Sequence, residues 1–87
     1  MLEYSVEDHL VKRAKEAGGE VRKVKWLGRV GAPDRLVLLP GRHFFVELKR
    51  PGKKADAHQA REHKRLRDAG FEVYVIDTIE KVDALFK

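Results

Sequence analysis

Apolar residues recur at helical spacing in the first part of the chain and predict an amphipathic helix. Ser5 is followed three residues later by Asp8, a pair that resembles a capping box and marks the beginning of the helix. Gly18-Gly19 then ends it. The apolar stripe that would face a core consists of Val6, Leu10, Val11, Ala14 and Ala17.

The next segments have the shorter period of extended chain. β-Branched and basic residues alternate over residues 21–26, which predicts a first strand leading into a loop over residues 27–33. Residues 34–39 and 43–49 are rich in apolar side chains, and Pro40-Gly41 between them is a turn signal. The second and third strands are therefore expected to form a hairpin.

The last part of the chain predicts helix, strand and helix. Asp56 can cap a helix that ends before Gly70. Residues 71–76 form a near-continuous apolar run, which is typical of a strand covered on both faces. Thr78 can cap a final helix. The core stripe of the earlier helix is expected to be Ala60, His63, Leu66 and Ala69, and that of the final helix Ile79, Val82, Leu85 and Phe86.

The order of elements, αβββαβα, predicts an α/β fold with a mixed central sheet flanked by helices. Because the third strand reaches the fourth through a helix, these two strands are expected to run parallel, joined by a right-handed crossover. The 87 residues contain no internal repeat and no linker. Residues 1–87 are therefore expected to form one small domain of marginal stability.

The hairpin also predicts which residues face one another. If Leu39 pairs with Arg42 across the turn, counting outward places Asp34 directly opposite Glu47. Directly opposed residues project from one face of a sheet with their Cβ atoms about 5 Å apart, so two carboxylates converge there. Lys49 follows Glu47 by two residues and projects from the same face.

Two facing carboxylates among apolar neighbours predict a bound cation. Without one, the two acids repel and one of them takes up a proton. Oxygen ligands suit Mg²⁺ or Mn²⁺, which activate water and stabilise a negatively charged transition state, and Lys49 would assist beside the metal. Two structural alternatives remain: Glu-x-Lys on a strand is usually a solvated face, and Pro-Asp is common in turns. The apolar neighbours that weigh against them are Leu36, Leu38, Phe44, Phe45, Val46 and Leu48.

Charge favours an anionic partner. Nineteen Lys and Arg residues against fourteen Asp and Glu residues give a formal net charge of +5. A solvated basic surface is the alternative. The residues predicted to contact nucleic acid are Arg50, Lys53, Lys54, Arg61, Lys64 and Arg65. His58 and His63 are five residues apart, which is not a two-ligand spacing, and are expected to be surface or phosphate-contacting residues.

Three features that the sequence lacks limit the possible sites and locations further. The chain has no cysteine, which excludes disulfides and thiolate metal sites. No run approaches the roughly 20 apolar residues of a membrane span, and the charged beginning lacks the apolar core of a signal peptide. We therefore expect no membrane partner and a cytoplasmic location.

Four segments together resemble the PD-(D/E)xK nuclease superfamily, and most closely its VRR-NUC (virus-type replication-repair nuclease) branch. The resemblance covers nearly the whole chain. Pro-Asp and Glu-x-Lys are shared with many nucleases, whereas the helical glutamine and the later glycine are more specific to this branch. The segments are Gly31-Ala32-Pro33-Asp34, Phe45-Val46-Glu47-Leu48-Lys49-Arg50-Pro51, Gln59 and Gly70-Phe71-Glu72-Val73.

The resemblance implies a restriction-endonuclease-like sandwich and a metal-dependent endonuclease. Asp34 and Glu47 would be metal ligands, joined by the backbone carbonyl of Leu48, and Lys49 would assist the nucleophile. Family members also place a glutamate of the first helix near the metal. Glu7 matches best and Glu3 less well, and Glu7 can alternatively be an ordinary first-turn acid.

Gln59 looks like the family glutamine, although its position three residues after Asp56 also suits a cap partner. Stand-alone viral members resemble Holliday-junction resolvases, so the resemblance implies a homodimer that cuts branched DNA, in the host cytoplasm if the chain is viral. A chain this small would rely on a partner or on nucleic-acid shape for specificity. The alternatives are a non-catalytic DNA-binding module with the nuclease fold and a flap-cutting or nicking nuclease.

Overall fold

The computed structural model describes residues 4–87 and confirms the predicted order of elements. No helix in this part of the chain is long and apolar enough to cross a membrane. The helices are α1 (Val6–Glu16), α2 (Ala57–Asp68) and α3 (Ile79–Leu85), and the strands are β1 (Glu20–Lys23), β2 (Arg35–Leu39), β3 (Arg42–Leu48) and β4 (Val73–Ile76).

All three helices begin at the predicted capping residues. In α1, the hydroxyl of Ser5 accepts a hydrogen bond from the backbone N–H of Asp8, whose carboxylate accepts one from the N–H of Ser5. Asp56 and Gln59 form the same reciprocal pair at the beginning of α2. Thr78 accepts a hydrogen bond from the third residue of α3. These contacts satisfy N–H groups that the helices leave unpaired.

The sheet has the order β1-β2-β3-β4, in which β1 and β2 are antiparallel, β2 and β3 are antiparallel, and β3 and β4 are parallel. Leu39 pairs with Arg42, which confirms the predicted register of the hairpin. Gly41 has a φ of 75°, which a glycine adopts without steric cost, and this allows the two-residue turn.

The two faces of the sheet have different environments. Phe44 and Val46 of β3 are fully buried and pack in a cluster with residues of α1 and α3. Side chains alternate along a strand, so Phe45 and Glu47 project from the opposite face, where α2 lies. The main cluster consists of Leu10, Ala14, Val37, Phe44, Val46, Ile76, Val82 and Leu85. The core thus occupies one face and the predicted site the other.

Most strand boundaries differ from the predictions. The beginning of β1 and both ends of β3 differ by one residue, and three other differences have a physical reason. β1 ends at Lys23 rather than continuing to residue 26, because its partner β2 begins only at Arg35, shortly after Pro33. Proline has no N–H with which to continue a ladder. Asp34 accordingly lies just outside β2. β4 begins at Val73 rather than at residue 71, because the N–H of Phe71 donates to a carbonyl of α2 and completes the end of that helix.

The predicted core stripe of α2 is partly wrong. Ala60 and Ala69 are exposed, and Leu66 is half-buried. The buried residues of the helix are Glu62 and His63. α2 covers the face that carries Glu47 rather than the apolar cluster, so its inward side carries polar groups. The prediction that β4 is covered on both faces holds only for its ends, since β4 is an edge strand and its two middle residues are half-buried.

Candidate active site

Asp34 lies just before β2, at the open end of the hairpin, and its side chain forms a hydrogen bond with β3. The preceding Pro33 is fully buried and occupies the position that the register would pair with Leu48. Proline has no N–H to donate across the ladder, so the regular pairing of β2 with β3 ends before this position. The Asp34 carboxylate accepts the N–H of Leu48 at 2.9 Å, through Oδ2. The Pro-Asp pair therefore fixes one carboxylate beside β3, and it is more than a turn signal.

Glu47 is the buried acid of the site. Its side chain is only 2% exposed. Burial and, next in size, the neighbouring Asp34 carboxylate raise the pKa of Glu47 to about 7, while Lys49 acts in the opposite direction. The predicted convergence of the two acids is thus observed, although Asp34 reaches Glu47 from just before the ladder. Two such groups share a site that accumulates negative charge as the pH rises.

Lys49 lies beside Glu47, on the same face as predicted. Its Nζ is 3.4 Å from Oε2 of Glu47, and its side chain is 21% exposed. Its backbone N–H donates to the carbonyl of Ile76, which extends the pairing with β4 by one residue. The backbone of Lys49 is therefore fixed directly after β3, and its ammonium group still reaches solvent.

Gln59 combines the two roles that the sequence left open. Its Oε1 accepts the N–H of Asp56 in the capping box, and its Nε2 donates to Oε2 of Glu47 at 2.9 Å. One amide group therefore both begins α2 and orients the buried acid.

His63 is a residue of the site that the sequence analysis missed. The expectation of a surface histidine is correct for the exposed His58 and wrong for His63, which is 1% exposed. Its burial instead agrees with its place in the predicted core stripe of α2. Its Nε2 is 3.7 Å from Oε1 of Glu47. Burial, followed by the positive charges of Arg67 and Lys49, lowers the pKa of His63 and favours the neutral ring. The sequence signal was its position four residues after Gln59, which places both on one side of the helix.

Glu7 has a different partner from the predicted one. Its carboxylate pairs with the guanidinium group of Arg35, whose Nε donates to it at 2.8 Å. Arg35 also donates to the backbone carbonyl of Asp34, so Glu7 is connected to the site through one residue. Approach of Glu7 to a metal stays a prediction. Glu3 lies outside the described residues.

The loop between β1 and β2, which ends in Asp34, is attached to α2. Gly31 approaches the helix so closely that a Cβ there would lie 2.8 Å from the backbone oxygen of His58. Arg29 lies 3.3 Å from the carboxylate of the buried Glu62. The helix that carries Gln59 therefore also fixes the loop that delivers Asp34.

The predicted nucleic-acid contacts are all exposed, but their surroundings differ. On α2, Lys64 pairs with Asp68 at 2.8 Å and Arg65 with Glu62 at 3.5 Å. Arg61 donates to the ring of His58. The remaining three, Arg50, Lys53 and Lys54, lie in the segment between Lys49 and α2. Arg50 directly follows Lys49 in this segment.

The donor set suits a divalent cation of the magnesium class. Across residues 4–87, no three His, Cys, Asp or Glu side chains are grouped closely enough to hold a metal by themselves. Asp34 and Glu47 supply two carboxylates, and the carbonyl of Leu48 stays a predicted further ligand. Mg²⁺ commonly binds through one or two carboxylates and keeps several waters, so this sparse set of oxygen donors fits it.

Comparison with known proteins gives two strong similarities. No family model matches the chain. The chain is 48% identical over 77 residues to the protein named "Putative nuclease p44" of Acyrthosiphon pisum secondary endosymbiont phage 1, covering 87% of this chain and 83% of that protein. A solved structure described as a VRR_NUC domain superimposes with a TM-score of 0.86 at 45% identity, covering 92% of this chain and 88% of the other.

Proposed function

This chain belongs to the VRR-NUC family and is a nuclease, and we propose that it hydrolyses DNA phosphodiesters with a divalent cation held by Asp34 and Glu47. We also propose that residues 1–87 act as one nuclease domain. The observation that carries the proposal is the buried Glu47 with the half-buried Asp34 beside it, since burial and then Asp34 raise the pKa of Glu47 to about 7. A cation would relieve this repulsion, and without one a buried acid at this position is costly.

In this proposal, different side chains of the protein bind the cation, orient its ligands and contact the DNA. Asp34 and Glu47 bind the cation, and Gln59 keeps the Glu47 carboxylate oriented through its hydrogen bond to Oε2. Lys49 places an ammonium group within 3.4 Å of that oxygen, from where it orients the attacking water or neutralises the phosphate. When bound, Mg²⁺ or Mn²⁺ supplies Lewis-acid activation of water and of the phosphoryl group. Nearby Arg50, Lys53 and Lys54 offer positive charge to the DNA backbone.

Cleavage assays test this proposal directly. Supercoiled, linear and four-way-junction DNA are incubated with the protein and Mg²⁺ or Mn²⁺, with EDTA and the variant Glu47→Ala as controls. We expect cleavage that EDTA and the variant both abolish. Undiminished cleavage by Glu47→Ala would refute the assigned site, and DNA binding without cleavage under any divalent metal would favour a non-catalytic binding module.

We further propose a homodimer that prefers branched DNA. A symmetric dimer brings two sites to one junction, as paired nicks require. It would also bury apolar side chains that the described part of the chain leaves in solvent, among them Leu27, at 91% exposed, and Val30, at 69%. Light scattering should give about twice the chain mass of 10.0 kDa, and the four-way junction should be cut in preference to linear DNA. A monomer at assay concentrations, or equal cleavage of both substrates, would contradict this part of the proposal.

A further inference from the structure

Two buried polar atoms face each other behind the proposed metal ligand. Oε1 of Glu47 and Nε2 of His63 are 3.7 Å apart, and neither has a hydrogen-bond partner among the described residues. Both side chains are almost completely buried. Buried polar groups are nearly always paired, so two such atoms in adjacent positions call for a functional explanation.

The helix explains why these atoms meet. Gln59 and His63 are four residues apart on α2 and therefore project from the same side, one turn above the other. Gln59 donates to Oε2 of Glu47, while His63 faces Oε1. The helix thus presents one polar nitrogen to each oxygen of a single carboxylate. A ligand carboxylate needs this kind of support, because partners behind the ligand fix its direction.

We propose that His63 is a positioning residue that donates a hydrogen bond from Nε2 to Oε1 of the Glu47 carboxylate and, together with Gln59, fixes the direction in which Glu47 meets the cation. The separation of 3.7 Å exceeds hydrogen-bond distance by only about 0.7 Å. A neutral ring with its proton on Nε2 makes this bond. The inference rests on the proposed metal site but assigns a group that neither the motif nor the family resemblance supplied.

Substitutions of similar size at His63 distinguish a role in positioning Glu47 from a role in packing alone. The amide nitrogen of His63→Gln can occupy the place of Nε2, whereas His63→Leu fills the space without a donor. His58→Leu, at an exposed position of the same helix, is the control. Mn²⁺ affinity is measured by electron paramagnetic resonance without DNA, and thermal unfolding reports on the fold. We expect His63→Leu to bind Mn²⁺ roughly 10- to 100-fold more weakly and His63→Gln to stay within about threefold of the parent.

A second readout does not depend on any variant. Long-range ¹H–¹⁵N spectra of the parent protein at about pH 8, with and without Mg²⁺, report which ring nitrogen carries the proton. We expect Nε2 to be protonated in both conditions. A proton on Nδ1 alone would overturn the proposal, and so would equal Mn²⁺ affinity in a folded His63→Leu variant. A parent protein that binds no divalent cation would instead refute the proposed metal site, while the tautomer would still decide whether His63 donates to Glu47.

Discussion

Replacing Glu47 with glutamine should make the metal-free protein more stable at alkaline pH. The raised pKa means that the folded protein binds a proton at Glu47 more tightly than the unfolded chain does. The resulting stabilisation is complete below about pH 4.5 and is lost as the pH rises through about 7. The side chain is only 2% exposed, so solvent screens it little. Glu47→Gln removes this titration and keeps the shape of the side chain.

The size of the effect follows from the pKa. A change from the ordinary 4.5 to about 7 corresponds to about 3 kcal/mol in total, at about 1.4 kcal/mol per pKa unit. Between about pH 5 and pH 8.5 the parent should lose about 2.5 kcal/mol relative to Glu47→Gln.

Urea denaturation of both proteins in EDTA across this pH range is the assay. As the pH rises, the free energy of unfolding of the parent should fall relative to that of Glu47→Gln. Addition of Mg²⁺ or Mn²⁺ should restore the stability of the parent and leave that of the variant unchanged. A difference that is independent of pH, or that changes in favour of the parent in EDTA, would refute the reasoning about the buried acid.

Three further predictions concern the surroundings of the site. In filter-binding titrations, Arg50→Ala or Lys53→Ala should weaken DNA binding and make the slope of log affinity against log salt shallower by about 0.9 per lost phosphate contact. Lys15→Ala on α1 should leave both the affinity and the slope unchanged. Gly31→Ala should destabilise the protein by about 1–3 kcal/mol more than Gly28→Ala in urea denaturation, since both glycines have positive φ but only Gly31 lies against a backbone oxygen; equal costs would contradict the close packing of this loop on α2. Lys49→Met should lower kcat for cleavage roughly 100-fold or more with little loss of Mn²⁺ affinity, whereas a parallel loss of both would make Lys49 part of the binding site instead.

Local signals in the sequence predicted most of the framework. The caps of all three helices depend on residues three positions apart, and the hairpin register depends on Pro40-Gly41, so neither needs knowledge of the tertiary structure. The convergence of Asp34 and Glu47 followed from that register. Strand boundaries were harder, because the end of β1 depends on where its partner β2 begins.

The polar side of α2 could not be predicted from periodicity. A rule that assigns apolar residues to the interior places Ala60 inside and Glu62 outside, whereas the structure has the reverse. Glu62 lies against the loop at Gly31 and pairs with Arg29, both distant in sequence. The pairing of Glu7 with Arg35 likewise depends on how α1 packs on the sheet. Contacts of this kind are properties of the assembled fold.

Binding of Mn²⁺ in the absence of DNA tests the central claim most directly. Electron paramagnetic resonance titrations of the parent, Asp34→Asn and Glu47→Gln measure the site without requiring the natural substrate. We expect the parent to bind Mn²⁺ and both variants, while still folded, to lose most of that affinity. Unchanged binding in either folded variant would contradict a metal site formed by Asp34 and Glu47.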